Sequence, residues 1–172
     1  MSLERSTEDD NRAFLNTVAD RLLRTVEAAE PVLRGLTDNV VSARPSPDRW
    51  TIQEVVGHLI DSAANNHQRF VRAQSPGEFV FPKYEQNEWV SRQRYDTAIW
   101  SDVITLWAAY NRHLAHVMRH VAPASLETRC VIGPYEPVTL GYLIEDYVTH
   151  LRHHLRKVGE RVGLDLVDAA RT

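Results

Sequence analysis

Between residues 7 and 31, Phe14, Val18, Leu22 and Val26 recur at intervals of four, with charged residues between them. That spacing returns an apolar side chain to the same face at each turn and predicts an amphipathic helix. Pro31, Gly35 and residues 43–49, with Pro45 and Pro47, break the rhythm and predict a surface connection. At Thr51-Ile52-Gln53-Glu54 the spacing is that of a capping box: the Thr51 hydroxyl can accept from the third helical amide while Glu54 returns to the Thr51 amide. A second helix is therefore expected to run to about residue 73, where Ser75-Pro76-Gly77 ends it. Residues 78–96, including Tyr84, Glu88 and Trp89, show no clear period and read as a long loop.

A third helix is predicted over residues 97–121 by Val103, Leu106, Trp107, Tyr110, Leu114, Val117, Met118 and Val121, closed by Pro123. Residues 129–132 and 138–139 can flank a turn through Gly133, but Pro134 and Pro137 limit pairing, so any sheet is marginal. Thr139 is placed to cap a fourth helix with an apolar stripe of Leu140, Leu143, Ile144, Tyr147, Leu151, Leu155, Val158 and Val162, ending near Gly163. Four helices without a credible sheet predict an all-α, up-and-down four-helix bundle with a long loop between helices two and three. Residues 1–172 are expected to form a single domain, since 43% hydrophobic residues suffice for one continuous core.

Composition narrows the chemistry. A formal charge of −3 provides no broad basic field, so nucleic acid is not an expected partner. No apolar run approaches the roughly 18 residues needed to cross a bilayer. The polar, acidic start of the sequence carries no export signal, so a cytoplasmic protein is expected. Cys130 is the only cysteine, which rules out an intrachain disulfide and a cysteine-based zinc cage. With eight histidines, any transition-metal site must be built from imidazole and carboxylate.

Stepping about 100° per residue around helix four from His150 places its apolar residues between about 20° and 160° and His154 at about 40°. Both imidazoles thus lie at the margin facing the core. An i, i+4 pair can chelate one metal because the side chains stand a turn apart on one face, although the glutamate of HExxH is missing. The same pair also reads as two hydrogen-bonded edge residues. His153, at about −60°, falls on the polar side with Asp146 and Lys157. In helix two, His58, Ser62, Asn66 and Arg69 form a polar line along the edge of the apolar arc, so His58 can meet helix four; it also reads as an edge histidine bonded to a carbonyl. His67 lies opposite. His113, His116 and His120 make a rival set on helix three that periodicity does not reject; otherwise they form a solvated face.

Residues 50–62, Trp50-Thr51-Ile52-Gln53-Glu54-Val55-Val56-Gly57-His58-Leu59-Ile60-Asp61-Ser62, followed by Asn66 and Arg69-Phe70, resemble the DinB/YfiT-like family of four-helix-bundle metalloenzymes, the YfiT-like branch in particular. The aromatic-acidic stretch Tyr84-Glu85-Gln86-Asn87-Glu88-Trp89 is similar to a loop of that family, and residues 147–154 are similar to its closing histidine motif. The resemblance implies that His58, His150 and His154 are three metal ligands, with water completing the shell, and it is compatible with a homodimer. Lys157 departs from the polar uncharged residue or histidine common in relatives, so the outer site is expected to differ.

Three neutral imidazoles leave a divalent ion its full charge and one or two exchangeable positions, which lowers the pKa of a bound water or thiol. Imidazole ligands suit zinc, nickel, iron or copper, and zinc or nickel is the expected ion. Because YfiT-like relatives are associated with bacillithiol-type transfer, and other branches with mycothiol, the resemblance implies a thiol S-transferase joining a small-molecule thiol to an electrophile. A hydrolase using metal-bound water is the alternative enzyme, and a metal-binding stress-response module without turnover is the alternative to an enzyme. Asp61 can orient an imidazole or an outer water, or be simply solvated; Asn66 and Arg69 can contact substrate. Tyr84, Glu88 and Trp89 can close over the site or pack across the bundle mouth. Nothing in the sequence activates Cys130 as a nucleophile.

Overall fold

The computed structural model describes residues 6–75 and 77–168, together with the backbone of residues 2–5. Pro76, part of the predicted stop after helix two, lies outside the described residues. The helices are α1 (Ser2–Arg34), α2 (Asp38–Ser42), α3 (Ile52–Arg72), α4 (Gln86–Gln93), α5 (Trp100–His120) and α6 (Leu140–Val162). Three short strands accompany them: β1 (Phe79–Phe81), β2 (Arg129–Ile132) and β3 (Val138–Thr139). Among the described residues, no helix is long and apolar enough to cross a membrane.

The four long helices form the bundle. Both α1 and α3 pack chiefly against α5 and α6, so α1 sits across the bundle from α3, and α5 from α6. This arrangement sets α3 beside α6 and gives the histidines of the two helices a common face. Leu15, Leu22 and Leu33 of α1, Phe70 of α3, Trp107 and Met118 of α5, and Leu151 and Leu155 of α6 are withdrawn from solvent into one core cluster. Burial of each such side chain contributes roughly 1.5–3 kcal/mol.

The ends of the two site-bearing helices follow their local sequence. Thr51 Oγ1 accepts from the Glu54 amide at 3.1 Å and Glu54 Oε2 accepts from the Thr51 amide at 2.7 Å, completing the capping box. At the start of α6, Thr139 Oγ1 accepts from the Tyr142 amide at 3.1 Å. Gly163 ends that helix with φ of 70°, a left-handed conformation that a side chain would strain.

Four expectations change. Helix one continues through Pro31 to Arg34. The proline forfeits one backbone donor only in the last turn, and that turn buries Leu33. The stretch read as a loop contains β1, α4 and a 3₁₀ turn at Tyr95–Thr97, so α5 begins at Trp100. The sheet is also real, although small: β1 runs parallel to β2, with Phe79, Val80 and Phe81 opposite Cys130, Val131 and Ile132, and β3 pairs antiparallel on the other edge. Strands this short gain their pairing from a partner distant in sequence, which local periodicity does not register. Leu106, assigned to the core stripe, is 52% exposed; neighbouring Trp107 fills the core instead. Buried Gln53 then ties the segment after α4 to α3 by donating to the carbonyls of Tyr95 and Ala98.

Candidate metal centre

His58 on α3 and His150 and His154 on α6 meet at the packed α3–α6 seam. Nε2 of His150 lies 3.3 Å from Nε2 of His58 and 3.1 Å from Nε2 of His154. All three residues offer a ligand atom within 4.8 Å of the others, and among the described residues they are the one group of three or more histidine, cysteine or acidic side chains that does so. A tetrahedral ion with metal–nitrogen bonds of about 2.0–2.1 Å holds its donors about 3.3 Å apart, so the donor set fits a single divalent ion. His58 is fully buried, while His150 and His154 are half-buried on the side facing solvent.

Electrostatics favours the unprotonated form that a ligand needs. Burial, then the proximity of His150 and His154, pushes His58 down to about 3. Burial, followed by His150 and His153, takes His154 down to about 4. Burial also lowers His150, against the opposing carboxylate of Asp146 one turn earlier on α6. His58 Nδ1 is buried without an acceptor, so no hydrogen bond fixes that ring from behind. Trp50 packs against it instead, with ring centroids 4.9 Å apart and a tilt of 39°.

Asp61 lies one turn past His58, but its carboxylate is turned to the segment after α4. Its Oδ1 accepts from Tyr95 Oη at 2.8 Å and from Gln93 Nε2, and its Oδ2 is buried without a partner. Burial outweighs these two bonds and raises Asp61 from 3.8 to about 6. Between those values the folded chain binds more protons than the unfolded chain, so this group makes stability fall as pH rises through the window. Asp61→Asn, which can still accept both bonds, is expected to be more stable than the parent by up to about 3 kcal/mol above pH 6 and to lose that advantage below pH 4. Urea titrations of both proteins in chelator across pH 4–7 measure the gap; a gap independent of pH contradicts the assignment.

Asn66 donates to the Ser62 carbonyl at 3.0 Å and accepts from Arg69 at 3.3 Å, and both residues are 9% exposed. Tyr84 packs at a tilt against Trp89, with ring centroids 5.0 Å apart, and faces Asp61, Ser62 and Arg69, whereas Glu88 pairs with Arg92 at the surface. Tyr84 and Trp89 therefore roof the polar line of α3. His153 is exposed at the rim, and His67 contacts Tyr110 and His113 on another side of the bundle. His113, His116 and His120 are exposed and gather no three-donor group among the described residues. Cys130 is buried, and burial pushes its thiol up, away from a reactive thiolate.

Beside His154 opens a cleft of about 580 Å³ whose wall includes Trp50, Asn87, His153, Lys157 and Arg161. Trp50 opens the segment singled out in the sequence, whereas the supporting roles of Gln93, Tyr95 and Asp146 have no signature there beyond the glycine at position 57 that admits the Tyr95 ring.

A protein of Oceanobacillus iheyensis, named provisionally as a metal-dependent hydrolase, is 26% identical over 109 residues; the match spans only 63% of either chain. YfiT of Bacillus subtilis, which bears the same provisional name, is 23% identical over 164 residues, covering 92% of this chain and 86% of YfiT. The structure of YfiT, described as a four-helix bundle of unusual topology, superposes with a TM-score of 0.66 over 92% of this chain and 89% of that one. Because the DinB superfamily model matches residues 13–158, the chain belongs to the DinB superfamily.

Proposed function

We propose that His58, His150 and His154 together hold one divalent transition ion, zinc or nickel by ligand type, and that the chain is a hydrolase that forms its nucleophile there. The convergence of three neutral imidazoles beside an open cleft carries this reading. When bound, the ion supplies Lewis acidity, which lowers the pKa of a water or thiol at its open position and polarises a substrate oxygen. The imidazoles fix its position, Trp50 holds the His58 ring, and Asn87 and Lys157 stand where an entering substrate can meet them. The provisional names of both relatives support hydrolysis.

Transfer of a bacillithiol- or mycothiol-like thiol to an electrophile is the second reading, favoured by one observation. Among the described residues, no carboxylate joins the donor cluster to take a proton from water, and Asp61 Oδ1 is already engaged. A thiol, with an ordinary pKa of about 8.5, needs less assistance to ionise than water.

Protein purified without a histidine tag and loaded with zinc or nickel is expected to hydrolyse p-nitrophenyl acetate, with turnover falling about a hundredfold or more in chelator. Conjugation of cysteine to monochlorobimane, measured in parallel, separates the two reactions. Metal retention with neither activity overturns the enzyme reading.

A further inference from the structure

Arg69 is a cation withdrawn from water without an adjacent counter-charge. It is 9% exposed, its one hydrogen bond runs to the neutral amide of Asn66, and no carboxylate among the described residues lies within the 4 Å of an ion pair. Desolvation lowers its pKa, which is the mark of an incompletely compensated charge, and the groups that partly offset it are Tyr84, Cys130 and Asp146. Of these, Tyr84 and Cys130 are neutral at physiological pH and Asp146 is exposed. A largely buried charge of this kind is unfavourable unless it is paired.

Its location gives that cost a use. Arg69 continues the polar line of His58, Ser62 and Asn66 along α3, beneath Tyr84. Asp146 lies in the fields of both Arg69 and His150, so the guanidinium is on the same side of the α3–α6 seam as the donor cluster. We propose that Arg69 receives a carboxylate of the substrate, with the Tyr84 ring closing over it. This deepens the proposed function and rests on that reading for the position of the reacting group, though not for the anion contact itself.

A planar carboxylate matches the fork of a single arginine, which can donate two parallel bonds to it. Phosphate fits less well: a dianion calls for more than one cation, and Asp61 and Asp146 are both close to the subsite. At about 1.5 Å per residue, Arg69 lies about 16 Å beyond His58 along the helix axis, and its side chain leans back toward the N-terminus. The substrate is therefore an extended molecule whose carboxylate is roughly 10–15 Å from its reacting group.

Chelator-treated protein titrated with hexanoate and followed by the Arg69 Nε–Hε resonance tests the contact without metal. Saturable shifts with hexanoate, at least about tenfold weaker binding of inorganic phosphate, and weakening of about tenfold in Arg69→Lys, which keeps the charge and loses the fork, are expected. Arg69→Gln should abolish the shifts elsewhere in the subsite while the protein stays folded by circular dichroism. An unresponsive Arg69 resonance, preference for phosphate, or undiminished hexanoate binding in folded Arg69→Lys overturns the proposal. Zinc-loaded protein then takes 11-mercaptoundecanoate more tightly than hexanoate. Hexanoate binding in protein that retains no metal leaves the subsite standing and removes the metal reading, whereas metal retention with a silent Arg69 does the reverse.

Discussion

His58→Ala is expected to weaken zinc or nickel binding by more than about a hundredfold, because loss of even an outer-shell partner costs about 10–100-fold and this change removes a ligand. In metal-free protein the same change costs the packing of the buried ring on Trp50 and its 3.3 Å contact with His150, a loss that added metal does not alter. The contrast appears in thermal unfolding. At a metal concentration of about 100 Kd, the parent gains about 2.7 kcal/mol, and His58→Ala gains almost none. His150→Ala and His154→Ala should behave alike. His153→Ala and the paired change His116→Ala with His120→Ala should retain parental affinity in competition with a chromogenic chelator. Equal metal affinity in His58→Ala and the parent would sink the three-histidine centre, and loss confined to the His116/His120 variant would move the site to α5.

Gly57→Ala should destabilise the chain by at least about 2 kcal/mol, although alanine is favoured over glycine in a helix by about 1 kcal/mol. The sign is decided by Tyr95. A Cβ at residue 57 would collide with carbons of that aromatic ring, which packs directly on the α3 backbone and presents its hydroxyl to Asp61. Both the ring and the backbone are confined, Tyr95 being 8% exposed and its carbonyl bonded by Gln53. For a chain of this size the loss corresponds to a fall in Tm of about 4–8 °C. Combining Gly57→Ala with Tyr95→Ala should cost less than the sum of the two single changes, since the clash disappears with the ring. A stabilised Gly57→Ala protein would mean that Tyr95 does not occupy this position.

The two variants probe different levels of the same site. His58 tests the donors themselves, and Gly57 tests the support that carries Gln93 and Tyr95 to Asp61. Asp61 is one turn from a proposed ligand, yet its hydrogen bonds run to the segment following α4. Changes to that segment should therefore alter the surroundings of the centre without removing a ligand, an effect to be read in the pH dependence of Asp61 rather than in metal stoichiometry.

Local sequence was sufficient wherever the decisive interaction spans a single turn. The Thr51–Glu54 capping box, the Thr139 cap, the Gly163 stop and the apolar stripes of the four long helices all arise from neighbours three or four residues apart. The i, i+4 relation of His150 and His154 was legible for the same reason, and so was the opposite placement of His67. His58 was singled out by the resemblance of residues 50–62 to a family, because no helical wheel links residues on separate helices.

Tertiary structure decided the remainder. Pairing of β1 with β2, the placement of Tyr95 over Gly57 and the convergence of three Nε2 atoms all join distant parts of the chain. The last of these depends on α3 lying beside α6 rather than beside its sequence neighbour α1, which the periodicity of a single helix does not specify. The sequence by itself thus determined the four long helices, the caps of the two that bear the site and the polar line from His58 to Arg69; packing decided that this line shares a seam with His150 and His154, because donor geometry and the burial of a charge are properties of elements brought together.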